Sequence, residues 1–325
     1  MAQKLPKVLV TEPIPSKVIS FLKQHAEVHV GKKGEFQNEA KLQHKISGYH
    51  ALLCMLSNPV TKSVLEKGEQ LKIVANFAVG YNNIDVDAAE SLDIKVANTP
   101  DVLTEACGDF AMGLLLAVTR KFNEAESYLR SGHFKGWDPL GFLGMELRGK
   151  TLGIVGMGRI GQAFAHRAKA FGMKIAYHNR TILTSEIENS LSAKYTSSLQ
   201  ELASTSDVLS LNCPLTKETH HLIGDEIFEI MPVHSILINI SRGSVVNEES
   251  LAKALKNKQI SGAGIDVFEN EPIVHPELLT APNCILLPHI ASATYETRES
   301  IGMLAAKAIV SVLQGESDQR IPNLI

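Results

Sequence analysis

Short apolar runs rich in Val, Ile and Leu alternate with helix-patterned stretches along the whole chain, and this rhythm admits little besides parallel sheets covered on both faces. Two series are legible. The first places strands at 7–11, 27–30, 51–55, 72–76 and 95–97, with helices between them, including one at 86–92. The second places strands at 151–155, 174–177, 207–211, 235–240, 261–266 and 284–287. One long helical stretch, about 101–131, lies between the series. It opens after Asn98-Thr99-Pro100, because the residue before a proline is steered away from helix while proline suits a helix's first turn. A chain of 325 residues can give each series its own core, and no repeat or low-complexity tract disturbs the pattern.

Composition narrows the function classes. A formal net charge of −3 and a charged fraction of 21% provide no basic field for nucleic acid and no acidic tail. The start of the chain runs into the strand-like Val8-Leu9-Val10 without the apolar core of a secretion signal, and the longest apolar stretch, 111–118, is too short to span a bilayer. The expected compartment is the cytoplasm, with no membrane or nucleic-acid partner. Cys54, Cys107, Cys213 and Cys284 are dispersed among apolar neighbours and are read as reduced core or near-core residues. Among twelve histidines no metal-ligand spacing occurs, and the adjacent pair His220-His221 is expected to diverge, so no metal site is expected.

The most specific local signal is a glycine triplet. Gly156, Gly158 and Gly161 sit where the apolar run Thr151-Leu152-Gly153-Ile154-Val155 gives way to a helix-patterned run ending near Phe171. The first glycine permits a tight strand-to-helix turn, the second lets backbone approach a pyrophosphate, and the third lets helix pack on strand. The phosphates would then face the helix's positive end. An NAD site usually adds an Asp or Glu about 20 residues on, at the end of the next strand, to hold the ribose hydroxyls. Here no acidic residue occurs between Gly161 and Glu186, and His178-Asn179-Arg180-Thr181 follows the strand. A guanidinium at Arg180 pairs with a 2′-phosphate, and Asn179 and Thr181 add neutral hydrogen bonds. NADP(H) is therefore expected over NAD(H), which stays the second candidate.

Three polar signals close the last three strands of the second series: Ser241-Arg242-Gly243, then 269–272 with Glu271, then Pro288-His289. Strand ends of a parallel sheet share one edge, and ligands bind at that carboxyl edge. Each residue alone is unremarkable as an ordinary surface charge or structural histidine; three on one edge beside a nucleotide turn point to chemistry.

With these segments in view, the chain resembles the D-2-hydroxyacid dehydrogenases, most nearly their glyoxylate/hydroxypyruvate reductase branch. The likeness covers essentially the full length. It rests on Val79-Gly80-Tyr81-Asn82-Asn83-Ile84-Asp85, Asn98-Thr99-Pro100, the glycine turn 156–161, the run 239–243, Gly264-Ile265-Asp266-Val267-Phe268-Glu269, Glu271-Pro272 and Pro288-His289-Ile290-Ala291-Ser292-Ala293. It implies an α/β, two-domain architecture: a Rossmann NAD(P)-binding domain, 100–292, inserted into a flavodoxin-like substrate-binding domain made of 1–99 and 293–325. It also implies an active site in the cleft that closes about hinges near Thr99 and Ser292. Around the coenzyme, the resemblance adds Arg159, Ile160, Cys213, Pro214, Ile240, Ser241, Arg242, Asp266, His289 and Ala291 to the glycines and the 179–181 loop. Asp266 is implied to lie near the nicotinamide carboxamide. Leu56 as an apolar wall, with backbone donors at Val79 and Gly80, is implied to grip substrate from the other domain.

The expected chemistry follows from what a 2-oxo acid demands. Its carboxylate needs a cation, and Arg242 offers a planar fork. Negative charge grows on the ketone oxygen as hydride arrives, so a proton donor must stand within reach; His289 is assigned that task. Glu271 would orient the imidazole and stabilise its charged form. Glutamate at 271 departs from the glutamine of the family's formate dehydrogenases, and the chain is shorter than phosphoglycerate dehydrogenases with an added regulatory domain. Two other readings stay open: an NAD-dependent dehydrogenase of a bulkier D-2-hydroxy acid, and a non-enzymatic dinucleotide sensor resembling corepressors of this fold. The resemblance further implies a homodimer, with the 101–131 helix and the exposed loop holding Trp137 as its contact arm. In that branch, a tryptophan on this arm approaches the neighbour's substrate site.

Overall fold

The computed structural model, which describes residues 5–325, resolves the two series of apolar runs into two parallel sheets. The amino-terminal part comprises β1 (Lys7–Val10), α1 (Ser16–Lys23), β2 (Glu27–Val30), α2 (Glu39–Ile46), β3 (Ala51–Cys54), α3 (Lys62–Lys67), β4 (Ile73–Asn76), α4 (Val86–Ser91) and β5 (Lys95–Ala97). There follow α5 (Thr104–Thr119), α6 (Phe122–Arg130), β6 (Thr151–Val155), α7 (Arg159–Ala170), β7 (Lys174–His178), α8 (Ser185–Leu191), β8 (Ala193–Tyr195) and α9 (Leu199–Thr205). The remainder is β9 (Val208–Leu211), α10 (Asp225–Ile230), β10 (Ile236–Asn239), α11 (Glu248–Lys256), β11 (Gly262–Ile265), β12 (Cys284–Leu286) and α12 (Tyr295–Leu313).

The described residues divide into two compact units, one running up to Leu103 and including Ala293–Ile325, the other Thr104–Ser292. In the first, five strands lie in the order β2-β1-β3-β4-β5, all parallel, the flavodoxin-like order. The carboxy-terminal segment belongs to this unit. Its helix α12 packs on α1 and β4 so closely that a Cβ at Gly302 would lie 2.7 Å from Val18 and 2.9 Å from Phe77. Beyond it, Asn98 N–H donates to Asn323, Ile325 N–H donates to Val96, and the Asn323 amide donates to the Asn98 carbonyl at 2.7 Å.

In the second unit seven strands lie in the order β12-β11-β10-β9-β6-β7-β8, again all parallel. This is a doubly wound Rossmann sheet with one strand added at an edge. Its central strands β9, β10 and β11 are buried at every residue, as helices on both faces require. The order reverses between β6 and β9, so the switch point of the sheet lies at their carboxyl ends. Register aligns Val155 with Leu211, Leu211 with Asn239, Asn239 with Ile265, and Ile265 with Leu286. The residues that follow these five positions therefore share one edge.

Two elements differ from the pattern read in the sequence. The long helix expected at 101–131 is two helices, because Lys121 adopts a left-handed φ of 53°. The carbonyl of Thr119 accepts a hydrogen bond from Met145 N–H, and a Cβ at Gly144 would lie 2.1 Å from that oxygen, so the chain at 144–145 seals the end of α5. The short edge strand β8 is not visible in that pattern: Ala193 and Tyr195 are only partly buried, Lys194 is exposed, and the three carry no apolar run. Among the described residues no helix is long and apolar enough to cross a membrane.

Candidate active site

The glycine turn occupies the switch point. Gly156 has φ +91°, and a Cβ there would lie 2.6 Å from the Cys213 nitrogen, so the turn is open only to glycine. Gly161 is buried, and its Cβ would lie 2.6 Å from the Gly156 carbonyl oxygen, which is the close helix-on-strand approach the third glycine permits. Gly158 differs from both. It is exposed, nothing lies within 4 Å of where its Cβ would be, and no side chain caps the α7 terminus it begins. Protein packing therefore does not demand glycine at 158, whereas a pyrophosphate lying against the backbone and the positive end of α7 does. The residues present fit a dinucleotide on this ground.

At the end of β7 the turn is braced by a residue assigned to the coenzyme. The Asn179 side-chain oxygen accepts the Met157 N–H at 2.7 Å, tying the loop 179–181 to the glycine turn and leaving the amide NH2 as the group able to reach outward. Arg180 and Thr181 are exposed. Glu218 is held below the usual carboxylate range by hydrogen bonding from Thr216 first, then from its own backbone N–H, with the charge of Arg180 adding to them. Burial pushes the Cys213 thiol up to about 11, and Cys54 and Cys284 to about 12, so these free cysteines are inert thiols at neutral pH. Pro214, next to Cys213, is exposed.

Arg242, Glu271 and His289 lie on the shared carboxyl edge beyond β10, β11 and β12. His289 Nδ1–H donates to Glu271 Oε2 at 3.0 Å and lies 3.2 Å from Oε1, which directs Nε2 away from the carboxylate. Burial alone would raise the Glu271 carboxyl, but the hydrogen bond and charge of His289, the Phe268 N–H and the charge of Arg242 together hold it below the ordinary glutamate value. Burial pushes the Arg242 guanidinium down, opposed by Glu271, and one Nη donates to the Ser241 carbonyl at 2.7 Å. A guanidinium so placed stays charged at any relevant pH and keeps donors for an anion. His289 itself has a left-handed φ of 56°, uncommon for a residue with a side chain and found where surrounding structure enforces it.

That enforcement comes from Asp266. It is fully buried, and its two oxygens accept the Ile290 and Ala291 N–H groups, both at 2.8 Å. Burial raises its carboxyl above the ordinary value despite those two bonds. Asp266, implied to face the coenzyme, thus first holds the turn that presents His289. A second strut is Asn239, whose oxygen accepts from the Ser241 N–H and hydroxyl while its NH2 donates to the Arg242 carbonyl at 3.0 Å. Ile240 and buried Ser241 form the turn so held. The sequence reading placed Asp266 only beside the coenzyme and gave Asn239 no role, although a polar Asn ending an otherwise apolar buried strand was an available signal.

One reading is corrected outright. His220 and His221 do not diverge; their rings lie 4.0 Å apart, because His221 has φ +50°. His221 instead donates from Nε2 to Glu269 at 2.8 Å. In the other unit, Leu56, Val79 and Gly80 are partly buried. The carbonyls of Val79 and Gly80 accept from Asn98 and Asn76 at 2.8 and 2.6 Å, which fixes the peptide planes of that loop.

Comparison with known proteins agrees with this fold. The family model "D-isomer specific 2-hydroxyacid dehydrogenase, NAD binding domain" matches residues 112–291. A glyoxylate reductase of Thermococcus litoralis is 46% identical over 324 residues, covering 98% of this chain and 96% of that protein. A D-isomer-specific 2-hydroxyacid dehydrogenase from Polaromonas superposes with a TM-score of 0.91 at 37% identity, covering 99% of each chain. An NADPH-dependent glyoxylate/hydroxypyruvate reductase from Sinorhizobium meliloti, solved with NADP and malonate, superposes at 0.84 with 36% identity, over 95% of this chain and 94% of that one. The chain belongs to the D-isomer-specific 2-hydroxyacid dehydrogenase family. It is an NAD(P)-dependent oxidoreductase built on a Rossmann unit.

Proposed function

We propose that this enzyme reduces small 2-oxo acids, glyoxylate to glycolate and hydroxypyruvate to D-glycerate, with NADPH as the preferred reductant. The observation that carries the reading is the His289–Glu271 pair at 3.0 Å beside the Arg242 guanidinium, on the edge where Gly158 leaves room for a pyrophosphate. The names of the glyoxylate reductases that the chain resembles supply the substrate.

In this reading Thr104–Ser292 is the coenzyme-binding unit and the other is the substrate-binding unit. When bound, the reduced nicotinamide supplies a hydride to the 2-oxo carbon. Arg242 holds the substrate carboxylate through its remaining N–H donors. His289, with Nδ1–H engaged by Glu271, gives its Nε2 proton to the ketone oxygen, and Glu271 keeps the ring aligned and offsets its positive charge until then. Leu56, Val79 and Gly80 contribute substrate contacts from their unit. Arg180, with Thr181 and the Asn179 NH2, receives the 2′-phosphate, and the absence of a carboxylate at the end of β7 supports NADPH over NADH.

A homodimer is part of the proposal. Phe122, Leu129, Phe134, Trp137, Leu140 and Leu143 are each more than half exposed, with Trp137 at 86%. So dense an apolar arm is the kind of surface a partner covers. Trp137 is assigned to the neighbour's substrate site. The decisive experiment is a grid of initial rates: glyoxylate, hydroxypyruvate, pyruvate and a branched 2-oxo acid, each with NADPH and NADH. The proposal expects the highest kcat/KM for the two small acids with NADPH. Preference for the branched acid with NADH would establish the bulkier-substrate alternative, and coenzyme binding without turnover would establish a sensor.

A further inference from the structure

We infer that Glu248 and Glu269 form a reciprocal clamp between the chain segment carrying Arg242 and the loop carrying Glu271, and that both are positioning residues for the reaction. This rests on the assignment of Arg242, Glu271 and His289 above. Glu248 N–H donates to Glu269 Oε1 at 2.8 Å, while Glu269 N–H donates to Glu248 Oε1 at 2.8 Å. Each carboxylate thus holds the other's backbone. Glu248 Oε2 also accepts the His275 N–H at 3.3 Å, and Glu269 Oε2 receives His221 Nε2–H at 2.8 Å.

The clamp sits where two backbones nearly touch. A Cβ at Gly243, next to Arg242, would lie 1.8 Å from the Phe268 carbonyl carbon and 2.3 Å from the Glu269 nitrogen. On the far side of Glu269, the Phe268 N–H donates to Glu271 Oε1 at 3.1 Å, and Glu271 holds His289. A continuous path therefore runs from Arg242 through Gly243 and the clamp to Glu271 and His289. His221 joins a third segment, since its N–H donates to Ser244 and Ile223 pairs with Val246.

Helix capping does not explain Glu248. Asn247 already caps α11 by accepting the Ser250 N–H at 2.9 Å, and the Glu248 carboxylate is turned onto a different segment of chain. The residue is only 5% exposed, so it is not a solvated charge either. Two carboxylates placed side by side repel, and burial of Glu248 and the charge of Glu269 both work against its ionised form. An arrangement with that cost needs a geometric return, and the return visible here is the fixed spacing of the guanidinium and the carboxylate–imidazole pair.

The test compares alanine with glutamine. Glu269→Ala and Glu248→Ala should each lower kcat by about ten- to a hundredfold, the loss that misplacement of about 1 Å produces, with KM for NADPH unchanged within about twofold. Glu269→Gln and Glu248→Gln keep an oxygen able to accept the N–H and should recover most of kcat. The double alanine variant should lose no more than about threefold beyond the worse single one, because either change opens the same clamp. Glu269 is the more exposed partner, so Glu269→Ala carries the test if Glu248→Ala does not fold. Nitrogen-15 NMR of the His289 ring in substrate-free enzyme supplies a readout independent of turnover. A shifted ring signal in Glu269→Ala with kcat unchanged would leave the clamp standing and remove the catalytic assignment of His289. An unshifted signal in Glu269→Ala would overturn the clamp.

Discussion

The glycine turn and the Arg242–Glu271–His289 edge lie on one rim of one sheet, yet they are built in opposite ways. The turn is local: six consecutive residues, with Gly156 and Gly161 so close to backbone that an added Cβ would lie 2.6 Å from a backbone atom at each. The edge is assembled from three strand ends, and each presented side chain depends on a buried strut: Asn239 for Arg242, Asp266 for His289, Phe268 N–H for Glu271. Under the proposed function, coenzyme geometry at the turn is thus carried by backbone, whereas acid–base geometry is carried by side chains. Substitutions should separate the two.

The largest break is expected at the side-chain edge. His289→Ala should lower kcat by about 10² to 10⁴, the range of general acid–base groups, while leaving coenzyme affinity within about twofold. A loss below threefold in steady-state assays would remove His289 as the donor. Arg242→Ala comes next. Loss of a charge-assisted carboxylate contact should reduce kcat/KM for glyoxylate by about ten- to a hundredfold, with KM carrying most of it.

On the backbone side the contrast lies between glycines. Gly156→Ala meets both a φ of +91° and the Cys213 nitrogen, and should lower Tm by several degrees. Gly158→Ala meets nothing, so Tm should hold within about 1 °C while NADPH binding, followed by fluorescence titration, weakens about tenfold or more. A Gly158→Ala protein that binds NADPH as before would mean that no phosphate passes there. Arg180→Ala should raise the KM for NADPH about five- to tenfold and leave that for NADH unchanged, a smaller effect because the guanidinium is exposed and screened.

The same contrast explains what was legible in the sequence. Both sheets, the glycine turn and the three edge residues could be read because each leaves a local mark: an apolar run, a glycine spacing, a polar residue directly after a strand. The struts leave fainter ones: Asn239 ends an apolar strand and Asp266 follows one, but nothing beside them names the N–H groups they hold. Glu248 reads as one more acidic residue in the first turn of a surface helix, since its partner stands 21 positions away and the bond runs through backbone amides. The break at Lys121 is equally hidden, because what stops α5 is the chain returning at 144–145. The edge strand β8 escaped because its three residues, Ala193, Lys194 and Tyr195, are too few to show a period and form no apolar run.

The smallest expected effect sharpens the comparison through pH. Glu271 is an acid whose folded-state pKa lies below its ordinary 4.5, so its ionised form contributes stability that is fully present above 4.5 and is lost as pH falls through the lower folded value. Asp266 and Glu248 are shifted upward, chiefly by burial, so they act in the opposite sense: acidification below their raised values relieves a cost of folding. Replacing Glu271 with glutamine removes only the first contribution. Glu271→Gln should therefore lower Tm relative to wild type at pH 7 by no more than about 2–4 °C, the shift that ~1 kcal/mol produces in a unit of this size. The difference should shrink as pH is lowered past 4.5. A gap between the two melting curves that widens on acidification would mean that Glu271 is not held ionised by His289 and Arg242, and that the carboxylate–imidazole pair does not have the charge distribution drawn for it.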